Sequence, residues 1–237
     1  MDSMKAASAD GAALDLGAFV RGAAHDIANP LNAIAINAEL AKLLLEREQP
    51  QRAREVLDRL LADCARCGRL IQGMQRFGSG LHAGPREVVP ARAMIDAAID
   101  LARQERATLP RFRVDGIDAR IRVDRPALER AVAGLLHNAT EAEADTIQIL
   151  TRRDGGSVVI EIRDNGAGIP PDSCSKVADP FYSTRRAEGN SGLGLTLARE
   201  LLHSHGGELN IAANTPRGTC IELHLPEVSG RDAGAPA

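Results

Sequence analysis

Four short motifs occur in a fixed order along this chain and supply the residue types that phosphoryl transfer requires. The first, His25-Asp26-Ile27-Ala28-Asn29-Pro30, places an imidazole that can act as a nucleophile beside a carboxylate. The others are Asn138, the segment Asp164-Asn165-Gly166-Ala167-Gly168 and the segment Gly192-Leu193-Gly194-Leu195, all typical of a nucleotide pocket. No single motif would carry a functional assignment, but together they predict phosphoryl transfer to a histidine.

The spacing around His25 predicts an exposed nucleophile on a helix. Asn29 lies at position i+4, so both side chains should face water on the same flank. Asp26 can reach the second ring nitrogen, which would fix the imidazole tautomer and raise the nucleophilicity of the outer nitrogen. Pro30 cannot donate to the carbonyl of Asp26, so we expect a bend at the histidine's own turn. A histidine without these neighbours would more often be an ordinary solvated side chain.

The three later motifs contain groups suited to binding a nucleotide. The amide oxygen of Asn138 is a hard neutral ligand that suits Mg²⁺, although an isolated asparagine there would more often be a surface residue. Asp164 closes a predicted strand, and Gly166 and Gly168 after it allow the backbone to approach a flat ligand, or to form a plain turn. Residues 192–195 open a helix, where free backbone N–H groups can bind phosphate.

The overall composition excludes several classes of function. With a net charge of -3 and a pI near 6.1, the 237-residue chain lacks the basic field of a dedicated nucleic-acid binder. Aromatic residues make up only 2%, so base-stacking platforms are poorly supplied. Four cysteines do not make a disulfide framework, which favours a reducing compartment. No apolar run approaches the length of a membrane span and the N-terminus lacks a signal pattern, so we expect a cytoplasmic protein.

Two apolar heptad patterns near the start of the chain predict a helical hairpin. The first runs through Val20, Ala24, Ile27, Leu31, Ile34, Ala38, Ala41 and Leu45, and the second through Leu57, Leu60, Cys64, Cys67, Ile71 and Met74. Residues 47–50 separate them, which forces an antiparallel arrangement. Because two narrow stripes cannot enclose a dry core, we expect two copies to pair into a four-helix bundle, as a homodimer. Both cysteines fall on the seam, so core packing is favoured over a redox or zinc pair.

The remainder of the chain alternates helices and strands in a pattern that indicates an α+β layer. Glycine-rich segments at 78–80 and 84–85 mark a linker. The predicted helices are 91–106, 126–142 and 193–205, and the predicted strands are 111–114, 119–123, 146–151, 158–162, 208–212 and 220–225. We expect a mixed sheet covered on one face by helices. Residues 1–13 and 229–237 have the composition of disordered ends.

With these motifs the chain resembles the core of a two-component sensor histidine kinase, similar to the nitrogen-regulation type, over about residues 15–227. The resemblance implies a dimerisation and phosphotransfer hairpin over residues 14–80, a linker over 81–90 and a catalytic ATP-binding domain over 91–228. The implied fold is α+β: a hairpin that forms a dimeric four-helix bundle, followed by an α/β sandwich of the GHKL, or Bergerat, type.

The histidine motif resembles the phospho-acceptor motif of this family. It implies that His25 accepts phosphate, that Asp26 is the general base and that Asn29 positions water for phosphatase action. Asp26 stands where the family more often has glutamate, which keeps the chemistry with a shorter side chain. Residues 179–185 resemble the F box of the ATP lid, in which Arg185 could steady the charge of the transferring phosphoryl group.

The other motifs resemble the boxes of the ATP pocket. Residues 136–142 match the N box, with Asn138 implied as the Mg²⁺ ligand, and Asp164 is implied to recognise the adenine amino group. Two positions depart from the family pattern: Gly134 replaces a polar N-box residue, and Asn190 replaces the first glycine of the lid. The implied nucleotide-contacting residues are Asn138, Asp164, Gly166, Gly168, Ile169, Phe181, Ser191, Gly192, Leu193, Gly194, Leu195 and Thr219.

The resemblance implies an ATP-dependent protein-histidine kinase that passes its phosphoryl group to an aspartate on a response-regulator receiver domain. The same face could also dephosphorylate that regulator. One alternative is a non-catalytic phosphotransfer adaptor with a degenerate ATPase-like domain, and the intact glycine boxes disfavour it. Another is a GHKL-type ATPase or serine kinase, which the histidine motif disfavours. The sequence shows no sensor domain, so the input must come from a partner, from the short N-terminus or from sequence outside this chain.

Overall fold

The structure is a computed structural model that describes residues 16–81, 84–106, 108–174, 176–183 and 192–228. The disorder predicted for residues 1–13 and 229–237 falls outside the described residues. The helices are α1 (Leu16–Glu46), α2 (Pro50–Leu81), α3 (Ala91–Glu105), α4 (Arg125–Glu141) and α5 (Gly194–Ser204), with a short 3₁₀ helix at Pro171–Ser173. The strands are β1 (Glu87–Pro90), β2 (Arg111–Gly116), β3 (Arg120–Val123), β4 (Thr146–Asp154), β5 (Ser157–Asp164), β6 (Glu208–Ala213) and β7 (Thr219–Pro226).

Helices α1 and α2 form the predicted hairpin, and α1 continues as one helix through Pro30. Glu48 turns the chain between the helices with a φ of 58°. Pro50 begins α2, at a position where a missing N–H costs nothing and the fixed φ favours the first turn. A small buried cluster holds the turn end of the hairpin together and consists of Ala41, Leu44, Ala53 and Val56.

Within the single chain, the predicted hairpin seam is only partly buried. The predicted seam residues that the structure leaves exposed are Val20, Ala24, Leu31, Leu45, Leu57, Cys64 and Ile71. Buried positions one residue earlier replace four of them, namely Pro30, Leu44, Val56 and Leu70. Each helix carries two adjacent apolar stripes, and the neighbouring helix of the same chain can cover only one of them. Cys67 is buried as expected, but Cys64 is exposed, so core packing within the hairpin holds for only one cysteine.

The second half of the described chain is the expected mixed sheet with helices on one face. The strand order is β2-β4-β5-β7-β6, in which β2 and β4 are parallel and the other pairs are antiparallel. Alternate residues of β4 and β5, such as Ile147, Ile149 and Ile160, are fully buried against α3, α4 and α5. This core brings the carboxyl ends of β5 and α4 and the amino end of α5 to the same edge of the sheet.

Strand β1 was not predicted, because the segment was assigned to the linker. Glu87–Pro90 pairs antiparallel with β3 and leads directly into α3, in a two-stranded sheet separate from the main one. Helix α2 also extends to Leu81, past the glycines that were expected to end it. The linker between the helical hairpin and the α/β layer is therefore limited to residues 82–86.

A hydrogen-bonded junction attaches this linker to the α/β layer. The backbone N–H of Gly84 donates to Oδ2 of Asp124 at 2.5 Å, and the other carboxylate oxygen accepts from Ala127 at the start of α4. The backbone N–H of Asp124 donates to Nε2 of the buried His205 at 2.8 Å. The Nδ1 of that ring lies 2.7 Å from the carbonyl oxygen of Leu201, so a neutral imidazole protonated on Nδ1 satisfies both contacts.

The sheet face opposite the helices carries charged pairs. Arg152 on β4 reaches over β5 and donates to Glu222 on β7 at 2.8 Å. Burial acts to raise the pKa of the Glu222 carboxyl, but hydrogen bonds from Arg152 and His224 outweigh it and the pKa lies below its usual value. On the same strand, burial and the nearby Glu161 raise the pKa of the Cys220 thiol.

Candidate active site

The phosphoryl-acceptor motif presents one ring nitrogen of His25 to water. The His25 side chain is 70% exposed, whereas that of Asp26 is 8% exposed. Nδ1 of His25 lies 3.3 Å from Oδ1 of Asp26 and 3.4 Å from Nδ2 of Asn29. When Nδ1 carries the proton and donates to Asp26, Nε2 keeps its lone pair and faces outward. The structure thus brings together all three residues that the motif predicted.

Asp164 stands at the end of β5 with its two carboxylate oxygens in different environments. Oδ1 accepts the backbone N–H of Gly166 at 2.8 Å and that of Thr219 at 3.2 Å. The residue is only 6% exposed. In the part of the chain that the structure describes, both of these bonds use Oδ1, so Oδ2 remains available to a ligand. A carboxylate oxygen at this position can accept a hydrogen bond from an amino group such as that of adenine.

The glycine-rich loop after Asp164 packs directly against the β6–β7 turn. Gly218 has a φ of 109°, and a Cβ there would collide with the carbonyl oxygen of Asp164, so no larger residue fits. Gly168 approaches the Gly218 carbonyl, and Ile169 beside it is half-buried. On the other side, the Ala167 N–H donates to the carbonyl of Ala142 at the end of α4, at 2.8 Å. The loop is therefore held between α4 and the last strand.

Two residues that sequence reasoning missed also hold this loop. Asn214 donates from Nδ2 to the backbone carbonyl of Asp164 at 2.7 Å, and Arg217 donates from Nε to the carbonyl of Gly166 at 2.8 Å. Both come from the turn before β7, about fifty positions along the chain from the loop they bind. Only the turn composition around Gly218 could have suggested them, because neither belongs to a recognisable motif.

The phosphate end of the pocket lies where α4 meets the start of α5. Asn138 is exposed on α4, and a Cβ placed on Gly194 would be 3.6 Å from its Nδ2. Leu193 is the buried residue before α5, and its side chain does not cap the helix. The first backbone N–H groups of α5 are therefore available to an anion. Leu195 packs against the main core. An exposed amide oxygen beside these donors suits a metal-bound phosphate.

The two ends of the predicted lid lie against each other. A Cβ on Gly192 would be 2.5 Å from the carbonyl oxygen of Tyr182, so the chain passes very close to itself there. Tyr182 donates to the hydroxyl of Ser173 at 2.9 Å, which fixes the entering segment. Phe181 is 5% exposed. The predicted site residues Arg185 and Ser191 lie outside the described residues.

Phe181 joins the ATP pocket to the hairpin. Its ring lies 4.9 Å from that of Phe19, centroid to centroid, at an interplanar angle of 42°. Phe181 and Leu193 form a buried cluster against which Phe19, Ala23, Met74 and Leu197 pack. The α/β layer therefore packs against the end of the hairpin that carries His25.

Two family models match separate parts of the chain. Residues 15–80 match the model described as His Kinase A (phospho-acceptor) domain, and residues 123–229 match Histidine kinase-, DNA gyrase B-, and HSP90-like ATPase. These residues form a two-component histidine kinase core. In the kinase core, the phospho-acceptor match contains His25 and the ATPase match contains Asn138, Asp164 and the Gly192–Leu195 segment.

Similar proteins are sensor kinases. The kinase core is 28% identical over 91% of its length to the C4-dicarboxylate transport sensor protein DctB of Pseudomonas aeruginosa, and 32% identical over 84% of its length to the sensor histidine kinase RegB of Cereibacter sphaeroides. It spans 36% of that DctB and 45% of that RegB. No helix among the described residues is both long and apolar enough to cross a bilayer.

Solved structures show the same architecture. A mycobacterial sensor histidine kinase, MprB, aligns with a TM-score of 0.52 at 28% identity and covers 60% of this chain and 97% of its own. The histidine kinase AdeS of Acinetobacter baumannii aligns with a TM-score of 0.59 over 86% of this chain and 98% of its own, at 14% identity, which bears on the fold alone. The predicted α+β fold with a helical hairpin is confirmed.

Proposed function

We propose that this kinase core transfers the γ-phosphoryl group of ATP to His25 and then to an aspartate of a response-regulator receiver domain. The observation that carries the proposal is the contact between Asp26 and Nδ1 of His25, which leaves Nε2 facing water as a nucleophile. The same chain carries an ATPase-family pocket around Asp164.

The chemistry follows from the positions of these atoms. The Nε2 lone pair attacks the γ-phosphorus, the bond from phosphorus to the β,γ-bridging oxygen breaks, and ADP leaves with that electron pair. As positive charge develops on the ring, Asp26 holds or accepts the Nδ1 proton. Arg185 is proposed to steady the transferring charge, and Asn29 to orient water on a phosphorylated regulator.

The donor set at the phosphate end fits a magnesium ion shared with ATP. Asn138 offers one neutral amide oxygen, and the described residues contain no cluster of three or more acidic, histidine or cysteine side chains that could form an all-protein metal site. Mg²⁺ characteristically takes one or two protein ligands together with phosphates and water. When bound, Mg²⁺ would neutralise charge that develops on the phosphate oxygens.

The hairpin surface supports a dimeric arrangement for the kinase core. Large aliphatic side chains remain exposed on α1 and α2, among them Ile36 at 67%, Leu61 at 63% and Leu40 at 41%. Contiguous exposed apolar surface on a helical hairpin favours burial against a second copy. We propose a homodimer in which these stripes complete a four-helix bundle. The signal that reaches it and the cognate regulator would come from other proteins or domains.

A non-catalytic adaptor has no observation in its favour, because the Asp164 loop keeps the hydrogen bonds that shape a pocket. The direct test is to incubate purified protein with γ-labelled MgATP and measure acid-labile, base-stable phosphate. His25→Ala should abolish the label while MgATP binding persists. His203→Ala, which changes an exposed histidine in the last turn of α5, is the matched control and should keep it. Label retained by the His25 variant would refute the assignment.

A further inference from the structure

A continuous series of contacts connects the proposed nucleotide pocket of this chain to α1, the helix that carries His25. It begins at Asn138, which faces Gly194 at the start of α5. Two residues before Gly194, Gly192 lies against the backbone of Tyr182 at the other end of the lid. Phe181, next to Tyr182, then contacts α1.

The Phe181 ring packs against α1 at Gly22 and Phe19, and these two residues form its seat on the helix. A Cβ at Gly22 would lie 2.8 Å from Cδ2 of the Phe181 ring, which is closer than carbon atoms approach without displacement. Phe19, one turn earlier on the same face, packs against the same ring. Gly22 precedes His25 by three residues, so the seat lies roughly 4.5 Å from the acceptor along the helix axis.

The backbone of Phe181 indicates that this contact fixes the position of the Phe181 ring. Phe181 has a φ of 63°, a left-handed conformation that non-glycine residues rarely adopt. Such a conformation persists only where surrounding packing stabilises it, and here that packing comes from α1 and from Leu193. The ring is therefore held in a specific position relative to α1.

The linker keeps the catalytic layer beside its own hairpin. Residues 82–86 connect the end of α2 to β1, and five extended residues span at most about 17 Å. Within that segment, Gly84 is bound to Asp124, and Arg86 donates to the carbonyl of Ser204 at the end of α5 at 2.6 Å. Helix α5 also packs against α2 directly. The linker therefore leaves little freedom for the catalytic layer to move to a distant hairpin.

The geometry points to phosphoryl transfer in cis, from the ATP bound by one chain to His25 of the same chain, with Gly22 and Phe181 as positioning residues. This inference rests on the proposed function. The step is unchanged: the Nε2–phosphorus bond forms, the bond to the β,γ-bridging oxygen breaks, ADP takes the electron pair, and the Nδ1 proton goes to Asp26. A dimer contains two copies of His25, and the contact path indicates that the ATP bound by one chain reacts with the histidine of that same chain.

Mixed dimers test which histidine is used. One chain carries His25→Ala and binds ATP, the other carries Asp164→Ala and keeps its histidine, and different affinity tags allow only the heterodimer to be purified. At an ATP concentration low enough to leave the Asp164→Ala chain unbound, transfer in cis predicts no label on either chain, whereas a heterodimer of the parent with the His25 variant is labelled. Label on the Asp164→Ala chain would overturn the inference and leave the proposed function standing. An unlabelled parent homodimer would overturn both.

A second experiment tests the seat itself. Gly22→Ala adds the methyl group that the Phe181 ring excludes, and alanine favours a helix more than glycine does, so the hairpin should remain folded. We expect kcat for autophosphorylation to fall by about tenfold or more, with KM for ATP unchanged, because orientation rather than binding is disturbed. Gly68→Ala on α2, where an added Cβ has no atom within 4 Å, is the matched control. Equal kcat values for the two variants would overturn the positioning role.

Discussion

Asp164→Asn separates two roles of one carboxylate. Oδ1 of Asp164 organises the loop by accepting two backbone N–H groups, at 2.8 Å from Gly166 and at 3.2 Å from Thr219. Asparagine has nearly the same shape and keeps an oxygen at that position, so both bonds can remain. At the other position it replaces Oδ2 with an amino group. A donor would then face the adenine amino group, which also donates.

The expected loss of affinity follows from the hydrogen bond removed. A hydrogen bond to a charged group contributes about 1.5–3 kcal/mol. Since each 1.4 kcal/mol corresponds to a factor of ten, MgATP should bind the asparagine variant about 10- to 150-fold more weakly. The unfolding temperature of the nucleotide-free protein should change little, because no buried N–H group loses its acceptor.

Asp164→Ala provides the contrast, because it removes both oxygens. It should weaken MgATP binding and also destabilise the nucleotide-free protein by about 1–3 kcal/mol, since two buried N–H groups lose their acceptor. Calorimetric titration with MgATP and thermal unfolding of each nucleotide-free variant measure the two effects. An affinity for the asparagine variant within about twofold of the parent would refute the role of Oδ2. A large drop in its unfolding temperature would refute the separation of roles.

Three further changes test other parts of the molecule. Asn29→Ala should keep substantial autophosphorylation and lose most dephosphorylation of a phosphorylated regulator, followed as its decay; unchanged decay with lost autophosphorylation contradicts this. His205→Ala removes the acceptor for the buried N–H of Asp124 and should lower the free energy of unfolding by about 1–3 kcal/mol in urea titrations. Glu222→Gln should cost about 1 kcal/mol or less at pH 7 through the weakened pair with Arg152. Because the folded carboxyl pKa is lowered, this difference should shrink as the pH falls below the usual carboxyl pKa and vanish below the lowered pKa of the folded protein; a gap independent of pH would refute the pairing.

Local chemistry was predictable from the sequence because the groups that react are close together in the chain. His25, Asp26 and Asn29 lie within about one helical turn, so their residue types and spacing already predict which ring nitrogen is engaged. The hairpin and the α+β pattern were predictable for a similar reason, since hydrophobic periodicity reflects which face of each element is buried.

Residues that act over long sequence separations were not predictable. Asn214 and Arg217 hold the glycine-rich loop after Asp164 from about fifty positions away, and strand β1 forms only because β3 is there to pair with it. The hairpin stripes show the same limit: each helix is apolar on two adjacent stripes, and packing within the chain selects one of them.

Of these features, the packing of Phe181 against Gly22 depends most strongly on the tertiary structure. In the sequence, one residue belongs to the lid motif and the other is a glycine inside a predicted helix, with no pattern connecting them. The sequence by itself determined the candidate nucleophile, the nucleotide-binding motifs and the order of the elements other than β1, because these depend on residue type and local spacing. The tertiary structure alone decided how the two halves meet, because steric fit between distant side chains has no periodic signature in the chain.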